Sequence, residues 1–147
     1  MPYKELSLDS QVCFRLYTAS RLVTQCYRPF LQKINLTYPQ YLVMMILWEK
    51  DNIPVSDISH RLSLESNTTT PLLQRMEKDG IIKREKSGKD TRQTIVSLTK
   101  KGKELEEKAK DVPYCMMEYL KEKNISEKEL VTIIPNLDKI INSLKHK

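Results

Sequence analysis

Between Val55 and Leu98 the spacing of apolar residues changes period, and that change restricts the fold more than anything else in the chain. In VSDISHRL, Val55, Ile58 and Leu62 recur at the helical interval. In SNTTTPLLQRMEKDG, over 66–80, Leu72, Leu73 and Met76 do so again. That second segment opens on an N-cap residue, Ser66, and stops at Gly80. Pro71 falls early in it, where proline does least harm. Two β-prone runs follow, Ile82–Lys86 and Thr94–Leu98, around a charged tip, SGKDTRQ. They read as a β-hairpin with a long loop. Helix, turn, helix and hairpin make a winged helix-turn-helix lobe over residues 55–98.

The flanks are helical, with only three glycines in 147 residues. Val12, Leu16, Ala19, Val23, Tyr27, Phe30 and Ile34 predict a long amphipathic helix over 9–34, kinked by Pro29. A second helix starts near Pro39 and carries YLVMMILW, over 41–48, until DNIP breaks it. That run is far too short to cross a bilayer and reads as buried. Beyond the hairpin, one long helix bends at Pro113. Ser126 and Glu129 stand at capping-box spacing and start a last helix, which contains Pro135. The expectation is one mainly α domain over 9–143 with a small β-wing. Its terminal segments, 1–34 and 112–147, find no core partner of their own and form a dimerisation region.

A net charge of +6 favours a polyanionic partner, although a solvated basic surface accounts for it equally well. Helix-turn-helix proteins put the start of their second helix against base edges. Here that start holds Ser66, Asn67, Thr68, Thr69 and Thr70, with Gln74 and Arg75 one turn on. Short hydroxyls and amides bond bases and phosphates at close range. They also serve as a plain helix start with solvated hydroxyls. The hairpin tips the balance. Arg84, Lys86, Lys89 and Arg92 cluster where a wing reaches a minor groove, and Asp90 is spaced to aim Arg92. The expected partner is double-stranded DNA with a pseudo-palindromic operator, read by a homodimer.

The segment VSDISHRLSLESNTTTPLLQRMEKDGIIKREKSGKDTRQTIVSLTKKG resembles the winged helix of MarR-family transcriptional regulators. The likeness rests on the LxRMExxGxI end of the reading helix, the Asp90-Thr91-Arg92 wing and the SLTKKG exit, and it extends over residues 8–143. QVCFRLYTASR, YRPFL and INLTYPQYLVMMILWE narrow it to the one-cysteine, peroxide-sensing branch, the organic-hydroperoxide regulators and their staphylococcal thiol-based relatives. That resemblance implies that Cys13 senses oxidant. It implies that Tyr27 and Tyr38, with Tyr17 nearby, hydrogen-bond the thiol across a dimer interface. It also implies that a low-molecular-weight thiol caps oxidised Cys13 as a mixed disulfide and changes DNA affinity.

The residues allow a partial check. A helix starting near Asp9 puts Cys13 in its first turns, where the helix dipole favours the nucleophilic thiolate. Cys13 and Tyr27 are separated by about 21 Å of helix, so they meet only if two such helices cross antiparallel. Read without the resemblance, Cys13 is a buried structural thiol. Cys26 and Cys115 read as filler, and a resolving role for Cys115 stays open. Three widely spaced cysteines suggest neither a disulfide framework nor a metal site, and no cofactor motif occurs. With no apolar leader at the N-terminus, a cytoplasmic, membrane-free protein is expected.

Three other functions are weighed. Thiol catalysis needs a histidine near the cysteine, and neither His60 nor His146 is placed for it. A repressor released by a small phenolic ligand, with Met44, Met45 and Trp48 lining its cleft, would leave Cys13 structural. A helical module that grips acidic proteins with its basic face would show no steep, sequence-dependent DNA binding.

Overall fold

In a computed structural model describing residues 2–145, two turns of 3₁₀ helix, Lys4–Leu6 and Leu8–Ser10, precede the first α-helix. The helix expected over 9–34 is therefore shorter and divided. α1 runs over Val12–Cys26 and α2 over Arg28–Gln32, with Tyr27 as the joint. Pro29 has no N–H for the Gln25 carbonyl, so the break falls just ahead of it, and proline sits in the first turn of α2. At the other end, the Gln11 amide bonds the carbonyls of Glu5 and Ser7 and holds the chain in tight turns until Val12.

α3 (Tyr38–Glu49) opens on a full capping box. Gln40 N donates to Thr37 Oγ1 at 3.3 Å, and Thr37 N donates to Gln40 Oε1 at 3.0 Å. α3 is apolar nearly all round and is the core's central rod, with Tyr41, Val43, Met44, Ile46 and Leu47 buried. After it the chain makes a two-residue strand, β1 (Ile53–Pro54), where a mere break was expected. α4 (Val55–Leu62) and α5 (Ser66–Lys78) form the helix-turn-helix. β2 (Ile82–Lys86) and β3 (Thr94–Leu98) form the expected hairpin, pairing antiparallel from Ile82↔Leu98 to Lys86↔Thr94. β1 adds to the far edge of β3, giving the order β1-β3-β2. Pro54 is tolerated there because an edge strand leaves one side without ladder bonds.

The long helix expected after the hairpin is two, α6 (Lys100–Ala109) and α7 (Val112–Glu122). They part ahead of Pro113, which takes the first turn of α7. α8 (Glu127–Lys145) runs through Pro135. Its capping box is as the sequence predicts: Glu129 N donates to Ser126 Oγ at 3.1 Å, and Ser126 N to Glu129 Oε2 at 3.3 Å. The mainly helical winged fold is thus as expected. Among the described residues no helix is long and apolar enough to cross a membrane. His146 and the outer ends of the two expected dimerisation segments lie outside the described residues.

Candidate functional site

The reading helix begins one residue earlier than expected. Glu65 is the N-cap, extended at φ −72° and ψ 152°, and Ser66 is the first helical residue. The Glu65 carbonyl accepts from the backbone N–H groups of Thr68 and Thr69 and from the Thr69 hydroxyl. Thr69 is therefore turned inward and fully buried, a correction to its place in the polar run. Ser66, Asn67, Thr68, Gln74 and Arg75 face solvent, and Thr70 is half-buried. Leu72, Leu73 and Met76 lie in the core, as their spacing predicts.

On the wing, Arg92 donates from Nε to Asp90 Oδ1 at 3.2 Å and from its backbone N–H to the same oxygen at 3.0 Å. These bonds, side chain first, hold the Asp90 carboxyl below its ordinary pKa. Asp90 therefore both closes the turn and aims the guanidinium, whose side chain is 90% exposed.

Arg84 is placed otherwise than expected. Its guanidinium and backbone N–H both donate to Glu77 on α5, at 3.1 and 3.0 Å, and the side chain is largely buried. Arg84 braces the wing against the reading helix. Hydrogen bonds from the Arg84 side chain, then its backbone, push the Glu77 carboxyl below its ordinary pKa. A groove of about 240 Å³ between β1, α5 and the wing collects Ser56, Thr70, Arg84, Arg92 and Gln93. Lys86 and Lys89 lie exposed on the same hairpin.

The residues expected to sense oxidant fall into two groups that do not meet within one chain. Cys13 is exposed in the first turn of α1. Tyr17 follows one turn on, with the Arg21 guanidinium 5.9 Å from its ring centre. Tyr27 stands at the far end of α1, about 21 Å away along the axis. There it packs on Tyr38 with ring centres 4.8 Å apart. Tyr41 completes a cluster, 6.0 Å from Tyr27 and 6.3 Å from Tyr38. Sequence reading missed Tyr41 because it opens an apolar run, yet its spacing of three from Tyr38 puts both on one helix face.

Burial raises the pKa of all three phenols, and neighbouring phenols add to the rise at Tyr27 and Tyr41. They are protonated donors at neutral pH. Among the described residues no side chain or carbonyl accepts from these hydroxyls, and Tyr27 and Tyr38 are only half-buried, whereas Tyr41 is buried behind them.

α1 and α8 bury no residue at all within the chain. Val12, Phe14, Leu16 and Leu22 on α1 are exposed, as are Val131, Ile133, Ile134, Ile140, Ile141 and Leu144 on α8, between 43% and 72% for the latter. Apolar surface of this extent marks an interaction site. Cys26 and Cys115 are half-buried, and the Cys26 thiol donates to the Leu22 carbonyl at 3.2 Å. Met44 is fully buried and Trp48 packs on the core.

Residues 25–109 match a family model described as the transcriptional regulator SarA/Rot. The organic hydroperoxide resistance transcriptional regulator of Bacillus subtilis is 40% identical over 135 residues, 92% of each chain. Among solved structures, reduced AbfR of Staphylococcus epidermidis bound to DNA superposes with a TM-score of 0.77 at 32% identity, over 99% of this chain and all of that one. A disulfide-formed AbfR superposes with a TM-score of 0.64 at 34% identity, over 95% of this chain and 93% of that one.

Proposed function

This chain belongs to the SarA/Rot family of MarR-like transcriptional regulators, and from that premise we propose that it binds duplex DNA as a homodimer and changes its grip when Cys13 is oxidised. Ser66, Asn67, Thr68, Thr70, Gln74 and Arg75 take the major groove, through base edges and phosphates. Lys86 and Arg92 take the adjoining backbone and minor groove, with Asp90 and Arg84 as positioning residues. Residues 9–143 act as one unit, in which 55–98 read DNA and the terminal helices dimerise. We read the stretches around Cys13 and the phenols as similar to SarZ within that family. The solved complex of a 32% identical relative with DNA supports the reading.

The observation that carries the redox half is the separation of complementary groups. One end of α1 presents an exposed thiol, and the other presents phenols whose hydroxyls have no acceptor among the described residues. Two α1 helices crossing antiparallel join them, each thiol to Tyr27 and Tyr38 of the partner subunit. The thiolate attacks the outer oxygen of a hydroperoxide, giving a sulfenic acid and releasing an alcohol. A small thiol then displaces water from the sulfenic acid, leaving a mixed disulfide. Its bulk at a packed interface shifts the two reading heads, which must stay about 34 Å apart to fit successive turns of DNA.

A second outcome at the same sulfur is favoured by the disulfide-formed relative. There a protein thiol, Cys115, replaces the small one. Intact mass after oxidation separates the two: a mixed disulfide adds the mass of the small thiol, whereas a protein disulfide loses two hydrogens and disappears in Cys115→Ser.

DNA titration with and without cumene hydroperoxide tests the whole reading. Wild type should lose affinity on oxidation by about 5- to 150-fold, the usual range of allosteric coupling, and Cys13→Ser should bind equally well in both conditions. A Cys13→Ser protein that still responds would point to the ligand-released repressor instead.

A further inference from the structure

The sensing and reading groups of one chain are joined by a single rod. α3 carries Tyr38 and Tyr41 in its first turns and Trp48 in its last. Tyr41 and Trp48 are seven residues apart, so they share a helix face, about 10 Å apart along the axis. One side of the rod's middle is enclosed: Val43 and Met44 have no exposed surface, and Leu47 almost none, while Met45 opposite them is exposed. A close-packed helix of this kind shifts as a body and does not absorb a push at one end.

At the far end Trp48 makes a contact of a different kind from its neighbours. Its Nε1–H donates to the Gly102 carbonyl at 3.0 Å, across 54 residues of sequence. Glu49, next to it, pairs with Arg61, but both side chains are at least half exposed and such a pair is worth little. Gly102 lies in the first turn of α6, which is locked to the end of the reading helix. A Cβ at Gly102 would stand 2.1 Å from the Ile81 carbonyl oxygen, so only glycine permits the approach. Thr99 donates from Oγ1 to the Gly80 carbonyl at 2.6 Å and from its backbone N–H to Ile81 at 3.2 Å. Lys101 Nζ donates to the Asp79 carbonyl at 3.0 Å. The start of α6 and residues 79–81, where α5 ends, therefore move together.

We propose that Trp48 is a positioning residue that transmits the displacement of the phenol cluster to the reading helix, through its hydrogen bond to Gly102. The inference rests on the redox reading above. Oxidised Cys13 crowds Tyr27 and Tyr38 of the partner subunit, the push reaches Tyr41 packed behind them, α3 shifts, and the indole pulls on the turn that fixes the end of α5. Trp48 touches neither DNA nor thiol.

Trp48→Phe keeps one aromatic ring at the position, gives up the rest of the indole and removes the donor. The measurements are dissociation constants for a duplex selected from a random pool by reduced wild type, before and after cumene hydroperoxide, with dimedone labelling of Cys13 alongside. Expected are a reduced-state affinity within about threefold of wild type, unchanged labelling, and an oxidised-to-reduced ratio that falls below about threefold from the wild-type coupling. Trp48→Phe with the full wild-type ratio overturns the inference, as does a loss of affinity equal in both states, which is what a merely structural role gives.

Trp48 is the only tryptophan, so wild-type emission reads the same bond without any substitution there. The emission should shift when Cys13 is oxidised and stay fixed in Cys13→Ser. Emission that ignores stoichiometric oxidation overturns the proposal even if Trp48→Phe fails to fold. A wild type whose DNA affinity ignores peroxide removes the redox reading itself, and the inference with it.

Discussion

Arg92 reaches into solvent from the wing, and its direction is set by Asp90 two residues back. An arginine held this way enters a groove already aimed, which saves the ordering cost that a free side chain bears. Replacing Arg92 with alanine should weaken DNA binding and reduce the slope of log affinity against log salt by about one, as measured by anisotropy titrations at several salt concentrations. An unchanged slope would show that Arg92 contacts no phosphate. This pair was legible in the sequence because its two members are neighbours. Arg84 was not: charge and position suggest a DNA contact, and only the packing of the hairpin on α5 reveals Glu77 as its partner. Thr69 hid for a similar reason. It belongs to a run of similar hydroxyl residues, and which of them turns inward depends on the helix starting at Ser66, with Glu65 as its cap.

The charge pair between Glu77 and Arg84 adds to the packing that joins the wing to the reading helix, and does so while Glu77 is ionised. The Glu77 pKa is depressed in the folded protein, so its contribution is complete above the ordinary glutamate value of 4.5 and fades as pH falls below it. The pair is partly exposed, which limits it to roughly 1 kcal/mol or less. Glu77→Gln should therefore lower stability at pH 7, converge with wild type as acid protonates Glu77, and speed amide exchange in β2 and β3. Urea midpoints at pH 7 and at acid pH check the first two, and exchange measurements the third. A constant gap across pH would deny the pair its charge. At this scale the helices and hairpin were readable from period and caps, as with Ser126 and Glu129. The joints were not. Prolines announced each one, yet the breaks at Tyr27 and near Asp111 fall ahead of them, because the proline settles into the first turn of the next helix. β1 was invisible because a two-residue edge strand has no period; it exists through its pairing with β3.

The whole molecule, taken as one chain, is unfinished. Its first and last long helices bury nothing, its reactive thiol faces outward, and its phenols hold unspent donors at the other end of the same helix. The sequence foretold that incompleteness through the spacing of Cys13 and Tyr27 along α1. It did not foretell the third phenol, Tyr41, nor the rod that links the phenols to Trp48, since both depend on how α3 packs. One measurement addresses the shared site directly. A heterodimer is purified through two affinity tags, with one chain carrying Cys13→Ser and the other Tyr27→Phe and Tyr38→Phe, and the rate of sulfenic acid formation on its single Cys13 is followed. A homodimer of the Tyr27→Phe, Tyr38→Phe chain should react roughly tenfold more slowly than wild type, having lost hydrogen bonds to a charged sulfur. In the heterodimer the lone thiol lies beside intact phenols only if they come from the other chain, so the account predicts the wild-type rate. A thiol as slow as in the phenylalanine homodimer would show that each chain senses with its own tyrosines, and would contradict the account.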